Sequence, residues 1–254
     1  MIKSKIVIYT DSQNDEFSTK KINAKQIDNN YKYIRNGFLH FIFYRIFATP
    51  FAYLHSKIKF HHKIVGKEKL KEYRKVGYFI YGNHTQIIDD AFIPNNLDLR
   101  KTSYIIVHPN NVSMKILGVI TPYLGAIPTP NKMNGYKHFV DAIDYHIKHN
   151  KAIVIYPEAH IWPYYTKIRE FSDVSFTYPC KLDTPVFCFT NTYQKRKKSN
   201  KVNITTYEDG PFFKDPSLPL TEQKTKLRDE VYNKMVERSA NSNYEVYKYV
   251  QGEN

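Results

Sequence analysis

Apolar and polar positions divide the chain unevenly. Residues 11–33 are polar and charged, and read as an exposed arm or hairpin with little core of its own. Phe38 to Leu54 is the most apolar stretch. On a helical wheel Arg45, Thr49 and Ser56 fall on one narrow line, while Phe38, Phe41, Ile42, Ile46 and Phe47 occupy the wide remainder. Residues 59–66 alternate like a strand. Tyr78–Tyr81, Ser103–Val107 and Ala152–Tyr156 are short apolar runs of the kind expected for strands covered on both faces. Between them, residues 114–117 predict a short helix and 118–130, with two glycines and three prolines, a loop or short edge strand. Tyr136, Phe139, Val140, Ile143 and Ile147 recur at helical spacing. Residues 185–190 and 202–207 predict two more strands, separated by the basic hairpin tip Lys195-Arg196-Lys197-Lys198. Residues 221–239 predict a closing helix. Strands interleaved with helices argue for an α/β domain.

The apolar segment is 17 residues long and holds His40, Arg45 and Pro50, whereas a spanning helix needs about 20 largely uncharged residues. Its profile suits a helix lying in a membrane interface, with Lys32, Arg35, Lys57 and Lys59 positioned for anionic headgroups. The alternative is a core helix packed on the domain. The resulting division is a polar arm (1–33), an interfacial segment (34–57) and a catalytic domain (58–254).

Charge sharpens the list of partners. Thirty-eight basic and 24 acidic residues leave +14 over 254 residues, which favours a polyanion: nucleic acid, an anionic membrane leaflet, or an acidic carrier protein or cofactor. The start of the chain has too short an apolar run for a secretory signal, and two cysteines in one apolar stretch are no disulfide framework. Both point to a cytoplasmic setting.

Chemistry concentrates in Asn83-His84-Thr85-Gln86-Ile87-Ile88-Asp89-Asp90. A histidine after a short strand with a carboxylate in reach is a general base with its orienting partner supplied. On one continuous helix His84 and Asp89 would diverge by about 140°, so they meet only across a turn; the plainer reading is that Asp89 or Asp90 caps a helix. Pro157-Glu158 follows the 152–156 strand, and the C-terminal end of such a strand is where open α/β sheets place their chemistry. Gly-x-Gly-x-x-Gly, Walker and Gly-x-Ser-x-Gly motifs are absent from the sequence, and no cysteine pair or His-Glu-x-x-His organises a metal site.

Asn83-His84-x4-Asp89, Gly125-Ala126-Ile127, Tyr156-Pro157-Glu158 and Thr184-Pro185-Val186, in that order, resemble the motif blocks of the glycerolipid acyltransferase superfamily, whose best known members are 1-acylglycerol-3-phosphate acyltransferases. The resemblance covers roughly residues 60–210. It implies a central mixed, mostly parallel sheet flanked by helices, and a membrane-docking helix before the first block. It also implies His84 and Asp89 as the catalytic pair, and Asn83, Pro157 and Glu158 in the substrate site. The family's Gly-Thr-Arg after the glutamate is replaced by Ala159-His160-Ile161, and an arginine near the second block by Pro130-Asn131-Lys132. His160 therefore enters the candidate site, and Lys132, Lys167 and Arg169 become the candidate phosphate holders, although lysine offers a point charge where arginine offers a fork. Trp162 and its aromatic neighbours either line an acyl groove or fill core.

The implied reaction transfers a fatty acyl chain from acyl-CoA or acyl carrier protein to a hydroxyl of a lysophospholipid or related acceptor. Backbone N–H groups near the His84 turn are expected to stabilise the oxyanion. The implied partners are a membrane lipid, an anionic leaflet and possibly the carrier protein, rather than nucleic acid, with the enzyme peripheral on the inner face of the cell membrane. No bound cofactor or metal is implied. Two alternatives remain at this level. One is a thioesterase using the same pair on water, or Cys180 or Cys188 as nucleophile. The other is a non-catalytic basic protein of membrane surfaces or nucleic acid.

Overall fold

A computed structural model describes residues 5–17, 23–197 and 201–252. Lys198 of the basic run and residues 18–22 of the polar arm lie outside them. In chain order the strands are β1 (Lys5–Tyr9), β2 (Lys63–Val65), β3 (Tyr78–Gly82), β4 (Ser103–Val107), β5 (Ala126–Pro128), β6 (Ala152–Ile155), β7 (Val186–Lys195), β8 (Val202–Phe212) and β9 (Tyr247–Gln251). The α-helices are α1 (Gly37–His40), α2 (Thr49–Phe60), α3 (Glu68–Lys71), α4 (Ile93–Leu97), α5 (Leu117–Ile120), α6 (Tyr136–Lys148), α7 (Thr177–Leu182) and α8 (Leu220–Ser239). A π-helical stretch, Phe41–Ala48, joins α1 to α2.

Seven strands form one sheet in the order β2-β8-β7-β3-β6-β4-β5, parallel throughout except for the β7–β8 hairpin. The apolar runs predicted as doubly covered strands are its centre, and their two-residue period assigns the faces. Phe79, Tyr81, Ile153, Ile155, Val186 and Cys188 join the layer that includes Phe139, Ile143 and Ile147 of α6 and Leu227, Val231 and Met235 of α8. Tyr78, Ile80, Val154, Phe187 and Phe189 pack instead with Leu70 of α3 and Ile93 and Leu97 of α4.

The helical segment of residues 37–60 is amphipathic in an inverted sense. Besides the apolar Ala52 and Phe60, it faces the domain with polar groups. His40 Nδ1 lies 2.9 Å from the Tyr123 carbonyl, and Tyr44 Oη donates to Asn95 and accepts from the Ser103 N–H. Arg45 donates to the Leu99 and Arg100 carbonyls and to Thr102, and Asn96 of α4 donates to Ser56. Phe38, Phe41, Ile46, Phe47, Phe51, Leu54 and Ile58 face outward, Phe38 at 72% exposure, and Ile116, Leu117 and Val119 are exposed as well. Among the described residues no helix is long and apolar enough to cross a membrane.

Several expectations need correction. The alternating 59–66 segment is helix as far as Phe60, stopped by His61 in the left-handed conformation, and only residues 63–65 pair as a strand. The short helix expected at 114–117 begins only at Leu117. The polar arm has real core contacts: Ile27 and Tyr33 are buried, with the Ile27 N–H on Asn131 Oδ1 and the Tyr33 hydroxyl on the Pro128 carbonyl. The last regular element is not the long helix but β9, which pairs in parallel with β1 as a separate two-stranded sheet, Lys5 opposite Tyr247 and Val7 opposite Tyr249. Of the four cations expected to meet headgroups, Lys57 donates to the His62 carbonyl and Lys59 to Asp89.

Candidate active site

β3 carries the first block to the edge of the site. The strand ends on Gly82, where the Phe189 ring packs so closely that a Cβ would sit 2.1 Å from it. Asn83 then extends the ladder with its side chain: Oδ1 accepts from the Asn191 N–H at 2.8 Å and Nδ2 donates to the Asn191 carbonyl at 3.0 Å. It is buried and fully committed to β7, so it positions the turn and is not exposed to a substrate.

The histidine's partner is Asp90, one residue beyond the expected Asp89. His84 Nδ1 lies 2.7 Å from Asp90 Oδ2, and the same oxygen accepts the N–H groups of Thr85 and Gln86, each at 2.9 Å. A carboxylate oxygen receiving two backbone N–H groups is an acceptor, so Nδ1 carries a proton, and in the neutral ring Nε2 is then the nitrogen with the lone pair. Tyr156 stacks on the imidazole at 4.4 Å between ring centres, and its hydroxyl donates to the Asp90 carbonyl at 2.5 Å. Burial pushes the Asp90 carboxyl up, against the pull of the His84 ring. Asp89 points the other way: Oδ1 is 2.8 Å from His55 Nε2 and Oδ2 2.8 Å from Lys59 Nζ, which ties the turn to α2. The expected His84–Asp89 pair is therefore corrected to His84–Asp90, with Asp89 as an anchor. The Thr85 and Gln86 amides, being held by Asp90, are also removed from the expected oxyanion donors.

Glu158 braces the same turn from the segment that follows β6. Its Oε2 accepts the His84 N–H at 2.9 Å and its Oε1 the Arg169 N–H at 2.8 Å, with Arg169 Nη2 3.6 Å from Oε2. Burial pushes this carboxyl up, opposed chiefly by the Arg169 charge. The third His84-turn amide is thus also committed. Arg169 is buried. Its guanidinium lies over Trp162 at 4.9 Å and donates to the carbonyls of His160 and, at 3.4 Å, Ser12. It is not displayed to a phosphate, contrary to expectation. Neither residue's burial is visible in sequence.

The remaining candidates separate. Trp162 is 0% exposed, packed among Tyr9, Phe17, Tyr165 and Tyr249, with Nε1 donating to the Asp15 carbonyl; it fills core rather than lining a groove. Its backbone N–H, and that of Tyr164, donate to the carbonyls of His84 and Thr85, so the segment after Glu158 is laced onto the turn. Pro157 is half-buried two residues past the end of β6, and His160 Nδ1 is 3.2 Å from Glu16 Oε1. Lys167 is exposed. Lys132, also exposed, leaves the edge strand β5, three strand positions from β3, or about 14 Å across the sheet at about 4.8 Å per strand. Cys180 and Cys188 are free and buried, and burial pushes both thiols up, so neither is a poised nucleophile. Among the described residues no three His, Cys, Asp or Glu side chains gather as a metal site.

No protein-family model and no curated protein matches the chain. Among solved structures, its fold matches the 1-acyl-sn-glycerophosphate (LPA) acyltransferase PlsC from Thermotoga maritima, with a TM-score of 0.51 and 18% identity over 75% of this chain and 78% of that one. The α/β architecture with a mixed, mostly parallel sheet is thus the acyltransferase fold that the order of the motif blocks implies.

Proposed function

We propose that the protein is an acyltransferase that moves a fatty acyl chain from a thioester, acyl-CoA or acyl carrier protein, to a hydroxyl of a lysophospholipid or related acceptor. The observation that carries this reading is the His84–Asp90 pair at the C-terminal end of a central strand of an acyltransferase fold. His84 Nε2 takes the proton of the acceptor hydroxyl as its oxygen attacks the thioester carbonyl. A C–O bond forms, the C–S bond breaks, and the proton passes from the imidazolium to the departing thiolate. Asp90 holds the tautomer and stabilises the imidazolium. No acyl-enzyme is required. The inverted helix supports a membrane acceptor: a soluble protein gains nothing by turning Phe38, Phe47 and Phe51 to water while directing Arg45 and Tyr44 inward, whereas an interface buries them. Ile116, Leu117 and Val119 add exposed apolar surface, and a charge of +14 favours an anionic leaflet and an acidic donor.

The test is incubation with radiolabelled acyl-CoA or acyl carrier protein and a panel of monoacyl acceptors with and without phosphate, presented in vesicles. The reading expects labelled ester and free thiol in equal amounts. Release of free fatty acid alone would instead make the protein a thioesterase, and absence of any turnover would refute both.

A further inference from the structure

Tyr156 is the first residue past β6, and its side chain touches both members of the pair. Its ring centre lies 4.4 Å from that of His84, with the two planes 18° apart. Its hydroxyl donates to the Asp90 carbonyl at 2.5 Å. Phe189 of β7 meets the tyrosine ring at 5.9 Å and 89°, a perpendicular contact that braces it in turn.

The hydroxyl has a reason in the sequence. In a helix the carbonyl of one residue accepts from the N–H four residues on. Four residues past Asp90 stands Pro94, which has no N–H to give. Asp90 is buried, so its carbonyl needs another donor, and the Tyr156 hydroxyl supplies it. Burial pushes that phenol well up, so it stays protonated and donating. The carboxylate above it is held on one side only. Oδ2 receives the imidazole and the Thr85 and Gln86 amides, whereas Oδ1 is buried without a partner. The aim of Oδ2 therefore rests on that one atom's bonds and on the main chain of residue 90.

The imidazole has a matching need. A single bond at Nδ1 fixes a point and a direction but leaves the ring free to tilt about it. A parallel aromatic face fixes the plane, and its π electrons favour the ring when it is cationic. With Nδ1 on Asp90 and one face on Tyr156, 19% of the His84 side chain stays exposed.

We propose that Tyr156 is the positioning residue that aligns the pair: its ring sets the plane of the imidazole, its hydroxyl holds the main chain of Asp90, and together they keep Nε2 in one orientation. The proposal rests on the acyltransferase reading only in naming the acceptor hydroxyl as the source of the proton that Nε2 takes.

The experiment follows the His84 Nδ1 proton by NMR in protein carrying 15N-labelled histidine, with His84→Ala identifying the signal, beside acyl-transfer kinetics. Tyr156→Phe keeps the ring and removes the hydroxyl; Tyr156→Leu removes both. A side chain that only filled space would leave the tautomer and its proton untouched. Tyr156→Phe should speed solvent exchange of that proton by about fivefold and lower kcat by a similar factor, the worth of one neutral hydrogen bond, with the acceptor KM unchanged. Tyr156→Leu should lose the fixed tautomer, so that the two ring nitrogens average, and lower kcat by about fivefold more. If Tyr156→Leu fails to fold, the near-isosteric Tyr156→Phe decides by proton exchange alone. Parental exchange in Tyr156→Phe, or a parental tautomer in folded Tyr156→Leu, overturns the proposal. Faster exchange in Tyr156→Phe, in a protein that transfers no acyl group, would retain the hold of Tyr156 on the pair and discard the enzyme reading. Acyl transfer with kcat parental in both variants would do the reverse.

Discussion

His84 Nδ1 sits 2.7 Å from Asp90 Oδ2, on an oxygen that also gathers the Thr85 and Gln86 amides. The carboxylate thus folds the turn and fixes the imidazole with one atom. Its neighbour Asp89, equally buried, serves α2 through His55 and Lys59. The two substitutions therefore have opposite signatures. Asp90→Asn leaves an amide oxygen for the ring and the two amides but removes the negative charge that stabilises the imidazolium, and should lower kcat by about 10²–10⁴-fold. Asp89→Asn should reduce melting temperature while leaving kcat within about tenfold of the parent. Steady-state kinetics beside thermal melts checks both, and a larger kcat loss in Asp89→Asn would restore Asp89 to the catalytic pair.

Glu158 has both oxygens on main-chain N–H groups, those of His84 and Arg169. It is a positioning residue, and Glu158→Gln should act through the turn. The expected result is a fall in kcat with the acceptor KM little changed, together with destabilisation of about 3 kcal/mol or more, because Arg169 loses its buried counter-charge. Denaturant titration and a kcat against KM comparison read the two effects; a variant altered in KM alone would place Glu158 against the acceptor.

The outward phenylalanines can be removed without touching the sheet. Phe47→Asp with Phe51→Asp should weaken partition onto anionic vesicles by more than tenfold, since burying each ring is worth about 1.5–3 kcal/mol. Folding in water should be unharmed. Vesicle sedimentation and circular dichroism check this, and unchanged partition would remove the helix from the membrane face.

Buried histidines set an acid limit. His146 stacks on Tyr104 at 3.7 Å with Nε2 unpartnered, and burial pulls it from 6.5 down to about 3. A base whose folded pKa is depressed contributes fully above its unfolded pKa. That contribution is lost as pH falls from about 6.5 towards 3, because the unfolded chain takes up the proton first. His146→Phe keeps the stack without the proton, so it should be near parental in stability at pH 7.5 and more stable than the parent at pH 4.5. Urea unfolding across that range tests it, and parallel pH profiles would contradict it.

The sheet was legible because its strands are uninterrupted apolar runs, and the site's neighbourhood because four blocks stand in order. What escaped depends on geometry that spacing does not carry. In a tight turn one residue reverses which carboxylate meets the ring, so Asp89 and Asp90 are indistinguishable until the Thr85 and Gln86 amides are seen converging. Arg169 looked like a phosphate holder because sequence shows its charge and not its burial against Glu158 and Trp162. The β1–β9 pairing joins the two ends of the chain, where Tyr247-Lys248-Tyr249-Val250 is too short a signal without its partner.

The most direct measurement of the central claim compares the parent protein with His84→Ala in transfer of a labelled acyl group from thioester to a monoacyl acceptor in vesicles, with vesicle binding recorded on the same samples. The account predicts labelled diacyl product from the parent, a loss of at least about 10³-fold in His84→Ala, and equal vesicle binding by both. Product formation undiminished by the substitution would contradict it.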